Sequence, residues 1–487
     1  MKKVLFILII ILSFSLLACK TQEEEIETKE YTLNYSATPG GYLVGGTSQV
    51  VKGGESGEWV EAISDYCYEF SEWSDGNKNS KRQDVNVKKD IDVYAIFNKV
   101  IFEYPLVVIN TNNSQKITSK EEYIKCNVSV TSNEYSEYEL TDEAGKIKGR
   151  GNSTWGMPKK PYKLKFDNKV DFLGLGKAKT FTLIANYCDK SLLRNYLAYK
   201  IGANMNEIHF TTSIRIVEVV LNGEYIGLYT ICEQSEVKEN RVELDTTKSD
   251  SFFIELDSRA KESGLKEGFD YFTLGGKMYV LKFPDPEEDG FTSSDLERVK
   301  DFFEWAYNVL MTGTYEEIGE VLDLESFAST YIIYELFNNV DVGFSSWYLY
   351  RDSGSKIGVG PIWDFDISCG NCNYNDNCKR YNNLYAKESN PWYKALLQHD
   401  EFKELVKNLI EKYRDMIANT IIDEIDDSYN YEAYYLKNFE RWDILGKYDW
   451  PNPREVYTIA TWRGQVEYLE TWLFNSLNYI CKQYGVK

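Results

Sequence analysis

The sequence predicts an α+β protein, a two-lobed body preceded by a small all-β module. Three observations carry this reading. Short alternating segments separated by Gly, Ser and Asn follow residue 30, strand-like runs continue to about residue 231, and helical periodicity dominates the second half. Acidic residues collect where the strand-rich and helix-rich parts meet. Strands and helices segregated along a chain pack as separate layers, and the junction of unlike lobes makes a cleft.

With 487 residues, 43% of them hydrophobic, the chain can fill the cores of two or more domains. Its 55 Lys and Arg against 76 Asp and Glu leave a net charge of −21, which argues against duplex nucleic acid or bare anionic lipid as a main partner and favours basic protein substrates. The two histidines, His209 and His399, stand in unrelated surroundings. Histidine-based hydrolase triads and multi-histidine zinc sites are therefore disfavoured, and carboxylates, lysines or hydroxyls must carry any chemistry.

The first residues, "MKKVLFILIIILSFSLLAC", place two lysines before an apolar run too short to span a bilayer comfortably, with Ala18 before Cys19. The ending "LLAC" resembles the lipobox of bacterial lipoproteins; an ordinary secretory signal with a chance cysteine is the alternative. The expectation is a signal peptide at 1–18, a lipid anchor on Cys19, an acidic tether at 19–30 and an extracytoplasmic, membrane-anchored lipoprotein of the bacterial cell envelope. Disulfides then become available to the other cysteines. In "CGNCNYNDNC", Cys369, Cys372 and Cys378 would need a distant fourth ligand to hold zinc, so a local disulfide or free thiols compete with that reading.

Residues 31–99 form the β module, with strands expected at "YTLNYSA", "TSQVVKG", "EWVEAIS" and "DVYAIFN". "YEFSEWSDG" followed by "DVYAIF" resembles a divergent internalin-type repeat, a spacer or adhesive module. The larger domain is expected at 104–485, with strands at "YPLVVINT", "KPYKLKF", "TFTLIAN", "IRIVEVVL" and "YIGLYTI". Asn222-Gly223 between two of these predicts a tight hairpin, because both residues tolerate positive φ. Helices are expected at "KSLLRNYLAYKIGANM" and at "SSDLERVKDFFEWAYNVLMTG", where Ser294 and Glu297 have capping-box spacing. "DPEEDG" fits the start of a calcium loop, but Leu296 occupies its twelfth position.

Four segments put polar groups beside apolar runs. "GRGNSTWGMPKKPYKLKF" sets a glycine-rich turn and Arg150 before a strand carrying Lys163 and Lys165 on one face, an arrangement able to hold phosphates with backbone amides and a lysine; a plain hairpin is the alternative. "YTICEQSEV" places Glu233 at a strand end. "NNVDVGFSSWYLYRD" brings Asp341 after an apolar helix, and "GPIWDFDIS" delivers Asp364 and Asp366. Alternation in an extended segment would turn both of these acids to one side, suiting a metal ion, a phosphorylated aspartate or a solvated strand end. Two acids in one cleft match the kinase arrangement, in which one orients the hydroxyl and the other holds Mg²⁺.

The blocks "RGNSTWGMPKKPYKLKF", "LIANYCDKSLLRNYLAYKIG", "VEVVLNGEYIGLYTICEQ", "NNVDVGFSSWYLYRD" and "IWDFDIS" occur in one order that resembles the CotH kinase family. The resemblance implies a divergent two-lobed protein-kinase-like fold and transfer of the ATP γ-phosphate to Ser or Thr of surface or secreted proteins, with Mg²⁺ or Mn²⁺. It implies Asp341 as the catalytic aspartate, Asp364 as metal ligand with Asp366 beside it, and Lys163 with Glu233 as the nucleotide-side pair, Arg150 assisting. It also suggests that Asp189, Arg194 and Asn195 brace the cleft; a helix-capping Asp with surface polar residues is the alternative. Ser345 and Ser346 stand where the family often has Asn, and a hydroxyl is a poorer metal ligand than an amide carbonyl. "DFDIS" also resembles the first motif of haloacid-dehalogenase phosphatases, but that motif opens an α/β domain rather than following more than 250 residues of another pattern. A paired-acid glycosidase finds no identifiable raised acid. The principal rival is a non-catalytic kinase-like scaffold or adhesion lipoprotein.

Overall fold

The computed structural model describes residues 29–64, 68–99 and 104–487. The expected signal peptide, Cys19 and nearly all of the tether lie outside the described residues. Two compact units divide the chain, Met1–Phe102 and Glu103–Lys487. Among the described residues no helix is long and apolar enough to cross a membrane.

In the first unit, period-two alternation builds β1 (Glu30–Ala37), β2 (Gly41–Gly45), β3 (Ser48–Lys52), β4 (Val60–Ser64), β5 (Tyr68–Trp73), β6 (Lys81–Arg82) and β7 (Ile91–Lys99). They form sheets ordered β3-β1-β7-β5 and β2-β4-β6 around Leu33, Tyr35, Trp73 and Ala95. Arg82 is buried in this small core, and its charge is met by Asp75 (3.0 Å) and Asp84 (2.8 Å) with the Trp73 ring beneath it. Four of these strands coincide with the segments read from the sequence.

The second unit opens with a closed barrel of β8 (Leu106–Thr111), β9 (Ile124–Thr131), β10 (Leu140–Gly149), β11 (Tyr162–Asp171), β12 (Lys177–Ile184), β13 (Ile214–Leu221) and β14 (Glu224–Glu233), in the order β10-β11-β12-β14-β13-β8-β9. Closure removes the exposed edges that so many β-branched strands would otherwise present. Leu164, Phe166, Phe181, Leu183 and Ile231 fill its interior. At the expected hairpin Asn222 and Gly223 both take positive φ (53° and 81°) and Leu221 pairs with Glu224.

A second sheet, β16-β17-β15-β18-β19, consists of β15 (Phe252–Leu256), β16 (Tyr271–Leu274), β17 (Lys277–Phe283), β18 (Trp347–Arg351) and β19 (Gly358–Val359). Helices Ser293–Thr312, Leu324–Leu336, Asp400–Asn430 and Trp462–Tyr484 share a large aromatic core with it. The first helix starts slightly earlier than read: Thr292 is its N-cap, and Asp295 returns a carboxylate to the Thr292 N–H (2.9 Å). The helix over "KSLLRNYLAYKIGANM" is shorter, Arg194–Ala203, because Asp189 binds Ser191 and Arg194 backbone amides in a turn before it.

Helix Leu324–Leu336 is buried from Ser326 onward, as its apolar circumference requires. Its Glu335 accepts from the Ala386 (3.1 Å) and Lys387 (2.8 Å) amides at the start of helix Tyr385–Ser389. Burial pushes this carboxyl up to about 7 despite those donors. A folded pKa above the unfolded value means that the native state holds the extra proton between the two. Stability therefore falls as pH rises from about 4.5 to about 7 and then levels, the loss being about 1.4 kcal/mol for each pH unit crossed. Glu335→Gln should flatten this part of the stability profile. Denaturant unfolding of both proteins at pH 5 and pH 7.5 measures it, and an unchanged pH difference in the variant would count against the assignment.

Candidate active site

Strand β19 ends at Val359, so the acid-bearing segment that follows is not a strand, contrary to the sequence reading. Asp364 has φ of 66°, a left-handed conformation costly for a residue with a Cβ. Alternation therefore does not set the directions of Asp364 and Asp366. Buried side chains take over the work of a strand ladder. The Asp364 amide donates to Tyr199 Oη (3.3 Å), the Phe365 amide to Asn195 Oδ1 (2.7 Å), and Asn339 Nδ2 donates to the Asp364 carbonyl (2.8 Å). Asn371 Nδ2 holds the Asp366 carbonyl (2.8 Å) and Arg194 Nε the Ser368 carbonyl (3.0 Å). Trp363 stacks on Tyr199 and Phe365 on Tyr334.

The expected braces are found here. Asp189 and Arg194 form a fully buried ion pair, and Asn195 is itself oriented by Asn186, whose amide donates to Thr230 Oγ1 (2.8 Å). Sequence reading missed Asn339. Its Oδ1 accepts from the Asp341 amide (2.9 Å) while its Nδ2 binds Asp364, so one side chain fastens both acid loops. The signal was a second Asn directly before "VD".

Arg150, Lys163, Asp341, Asp364 and Asp366 all line one cavity of about 450 Å³. Desolvation, then the charge of Asp364, pushes Asp341 up to about 7, opposed by Arg259. Asp366 is raised by burial and next by Asp364, with the Cys188 thiol donating to its Oδ2 (3.3 Å) in the opposite sense. Ser346 Oγ donates to Asp364 Oδ2 (3.3 Å), whereas Ser345 Oγ accepts from Arg259 (2.8 Å). In the same cavity, Lys148 and Lys163 pair across β10 and β11, and Arg150 lies over the Trp363 ring, 5.9 Å from its centroid. Burial lowers Lys163, against the charge of Glu236 and with the help of Lys148, Arg150 and Lys165. The glycine-rich turn forms the adjoining rim. Gly151 takes φ of 84°, and a Cβ on Gly149 would meet the Trp155 ring at 2.3 Å.

Glu233 is the exception. Lys163 is opposite Thr182, which is opposite Cys232, while Glu233 is opposite Phe181, a residue of the barrel interior. Strand parity thus turns Glu233 away from Lys163 and the cavity. It pairs instead with Arg241 (3.0 Å) and accepts from the Ser213 amide (2.9 Å). The Lys–Glu pair that does face the cavity is Lys282 with Glu255 (2.7 Å), on β17 and β15, with Asp257 and Arg259 beyond it. Single charges inside "YVLKF" and "FFIEL" were its signal.

Among the described residues no three His, Cys, Asp or Glu side chains converge as a ready-made metal cage. Mg²⁺ or Mn²⁺ rarely needs one, since one or two carboxylates suffice when phosphates and water complete the shell. The acids here are hard oxygen donors, two of them raised by burial and then by the negative charge of the third, so the donor set fits such an ion.

Residues 31–101 match the divergent InlB B-repeat domain, and residues 147–480 match the family described as CotH kinase protein. No curated protein matches the chain. The second match spans more than half of the sequence and contains all of the cavity's acids and cations described above, and the chain belongs to the CotH kinase protein family.

Proposed function

We propose that the chain is an atypical, ATP-dependent protein Ser/Thr kinase with a divergent two-lobed kinase-like fold, acting on surface or secreted proteins from a lipid anchor at Cys19. The observation that carries this is the gathering in one cavity of Lys148, Arg150 and Lys163, from the barrel strands and the turn after them, with Asp341, Asp364 and Asp366. Phosphate oxygens match these cations and the glycine-rich turn. Asp364, with Asp366 beside it, would hold a divalent ion that offsets phosphate charge. Asp341 has the role of orienting the substrate hydroxyl and taking its proton, a task suited to a carboxyl poised near 7. Lys163 and Arg150 steady the nucleotide, and Glu233, turned into the barrel, has a structural role.

Asp364→Ala should weaken metal-dependent nucleotide binding and abolish transfer. Asp341→Asn should keep that binding while cutting transfer roughly 10²-fold or more. Calorimetry with a nonhydrolysable ATP analogue, beside phosphate transfer from labelled ATP to a basic protein, separates the roles; equal losses in both variants would refute the division. Nucleotide binding without any transfer in the wild type would favour the scaffold reading, and phosphate trapped on Asp364 a phosphatase.

Lys163→Ala should reduce nucleotide affinity about tenfold or more, the loss of one charge-assisted phosphate contact. Glu233→Gln should leave affinity near wild type in the same titration. A comparable loss in Glu233→Gln would mean that the acid turns toward Lys163 when nucleotide binds.

A further inference from the structure

The fold divides the cysteines of "CGNCNYNDNC". Cys369 joins the large core and its amide donates to the Phe337 carbonyl (2.7 Å), whereas Cys372 and Cys378 are buried together in a separate cluster with Val340 and Ile367. Val340 precedes Asp341 and Ile367 follows Asp366. The two thiols therefore cluster with the side chains that flank two acids of the cavity, Asp341 and Asp366. The Cys378 thiol donates to the Asn375 carbonyl (2.9 Å) and reaches the Cys372 carbonyl at 3.6 Å. The intervening residues are turns, already closed by the Asn375 side chain, which accepts from the Asn377 amide (3.0 Å) and donates to Tyr385 Oη (2.9 Å). The hydrogen bond between the two thiols also holds Cys372 below its ordinary range and Cys378 above it, while burial pushes Cys126, Cys188, Cys232, Cys369 and Cys481 upward. Cys372 is thus the most readily ionised thiol among the described cysteines, and its neighbour is a second thiol.

We propose that Cys372 and Cys378 form a reversible disulfide that fastens the ground beneath both acid loops. The oxidant is a disulfide of the glutathione class. The Cys372 thiolate attacks one of its sulfurs, forming a mixed disulfide and releasing one thiolate; the Cys378 thiolate then attacks Cys372 Sγ and releases the second. Two protein thiols are oxidised, one external disulfide is reduced to two thiols, and the two thiol protons pass through solvent to the leaving thiolates. Because both sulfurs are buried, exchange proceeds through local opening of the turn segment that carries them.

The full chain equilibrated with oxidised glutathione, alkylated after denaturation and digested should yield a peptide linked through Cys372 and Cys378, two hydrogens lighter than its reduced form, and dithiothreitol should reverse it. Cys378→Ser should instead trap a glutathione adduct on Cys372. Both wild-type thiols remaining alkylated, or Cys372 linked to another cysteine, would overturn the disulfide. Amide hydrogen exchange at 339–346 and 363–368 should slow in the oxidised protein, and equal exchange in the two states would overturn the fastening. That these loops serve phosphate transfer rests on the function proposed above. Failure of nucleotide binding in both states would count against that function and leave the mass and exchange results standing.

Discussion

The site depends on a buried length of irregular backbone whose polar groups have no strand to pair with. Every N–H and C=O taken out of water needs a partner, and an orphan costs about 1–3 kcal/mol. Between Asp364 and Ser368 a turn bond from the Ser368 amide to the Phe365 carbonyl (3.1 Å) is joined by side-chain partners, namely Tyr199, Asn195, Asn339, Asn371 and Arg194, all buried. These residues come from parts of the chain far apart in sequence, and each is held in turn. Asp189 neutralises Arg194, Asn186 orients Asn195, and Asn452 donates to Asn371 Oδ1 (2.7 Å). The left-handed Asp364 persists because this network over-determines it. Barrel strand β14 through Thr230, the loop after helix Leu324–Leu336 through Asn339 and the loop carrying Asn452 meet through these bonds, so the acid loop is also where parts of the larger unit are joined.

Electrostatics adds a tension within the site. Asp341 and Asp366 are both raised by desolvation and then by Asp364, with Arg259 opposing the shift at Asp341. Lys163 is lowered by its own burial and by Lys148, Arg150 and Lys165, with Glu236 opposing them. Like charges gathered in each set oppose the folded state. The proposed nucleotide, with its phosphates near the cations and a divalent ion near the acids, would relieve both sets of charges together, which gives a reason for the arrangement that core packing does not.

Much of this was legible in the sequence, and the failures have a common cause. Barrel strands were visible because alternation is a local property, and the hairpin because Asn222-Gly223 needs no distant partner to favour positive φ. The cleft acids and Lys163 were visible as charges breaking apolar runs. What could not be read was direction. Asp364 and Asp366 were assigned to one side from an assumed strand that the fold does not form, since buried amides from other segments satisfy that backbone instead. Asn339 looked like an ordinary loop polar residue, and its bridging role exists only once Asp341 and Asp364 approach. Cys372 and Cys378 could be separated from Cys369 only by the core that Cys369 enters.

Glu233 shows how narrow the margin is between a right motif and a wrong partner. Its strand end, its burial and its raised carboxyl all fit a site acid, yet one position of parity on β14 puts Cys232 on the face shared with Lys163 and sends Glu233 to Arg241. On the second sheet Glu255 pairs in register with Val280, and a register shift leaves Lys282 without a partner on β15, where its ammonium reaches Glu255 (2.7 Å) in the cavity. The pairing of a lysine with a glutamate is therefore retained in the cavity while the residues that supply it differ from those a linear motif selects. Parity within a strand is local, but the face that lines a cavity is fixed by the neighbouring lobe, and that neighbour is what a motif read along the chain leaves out.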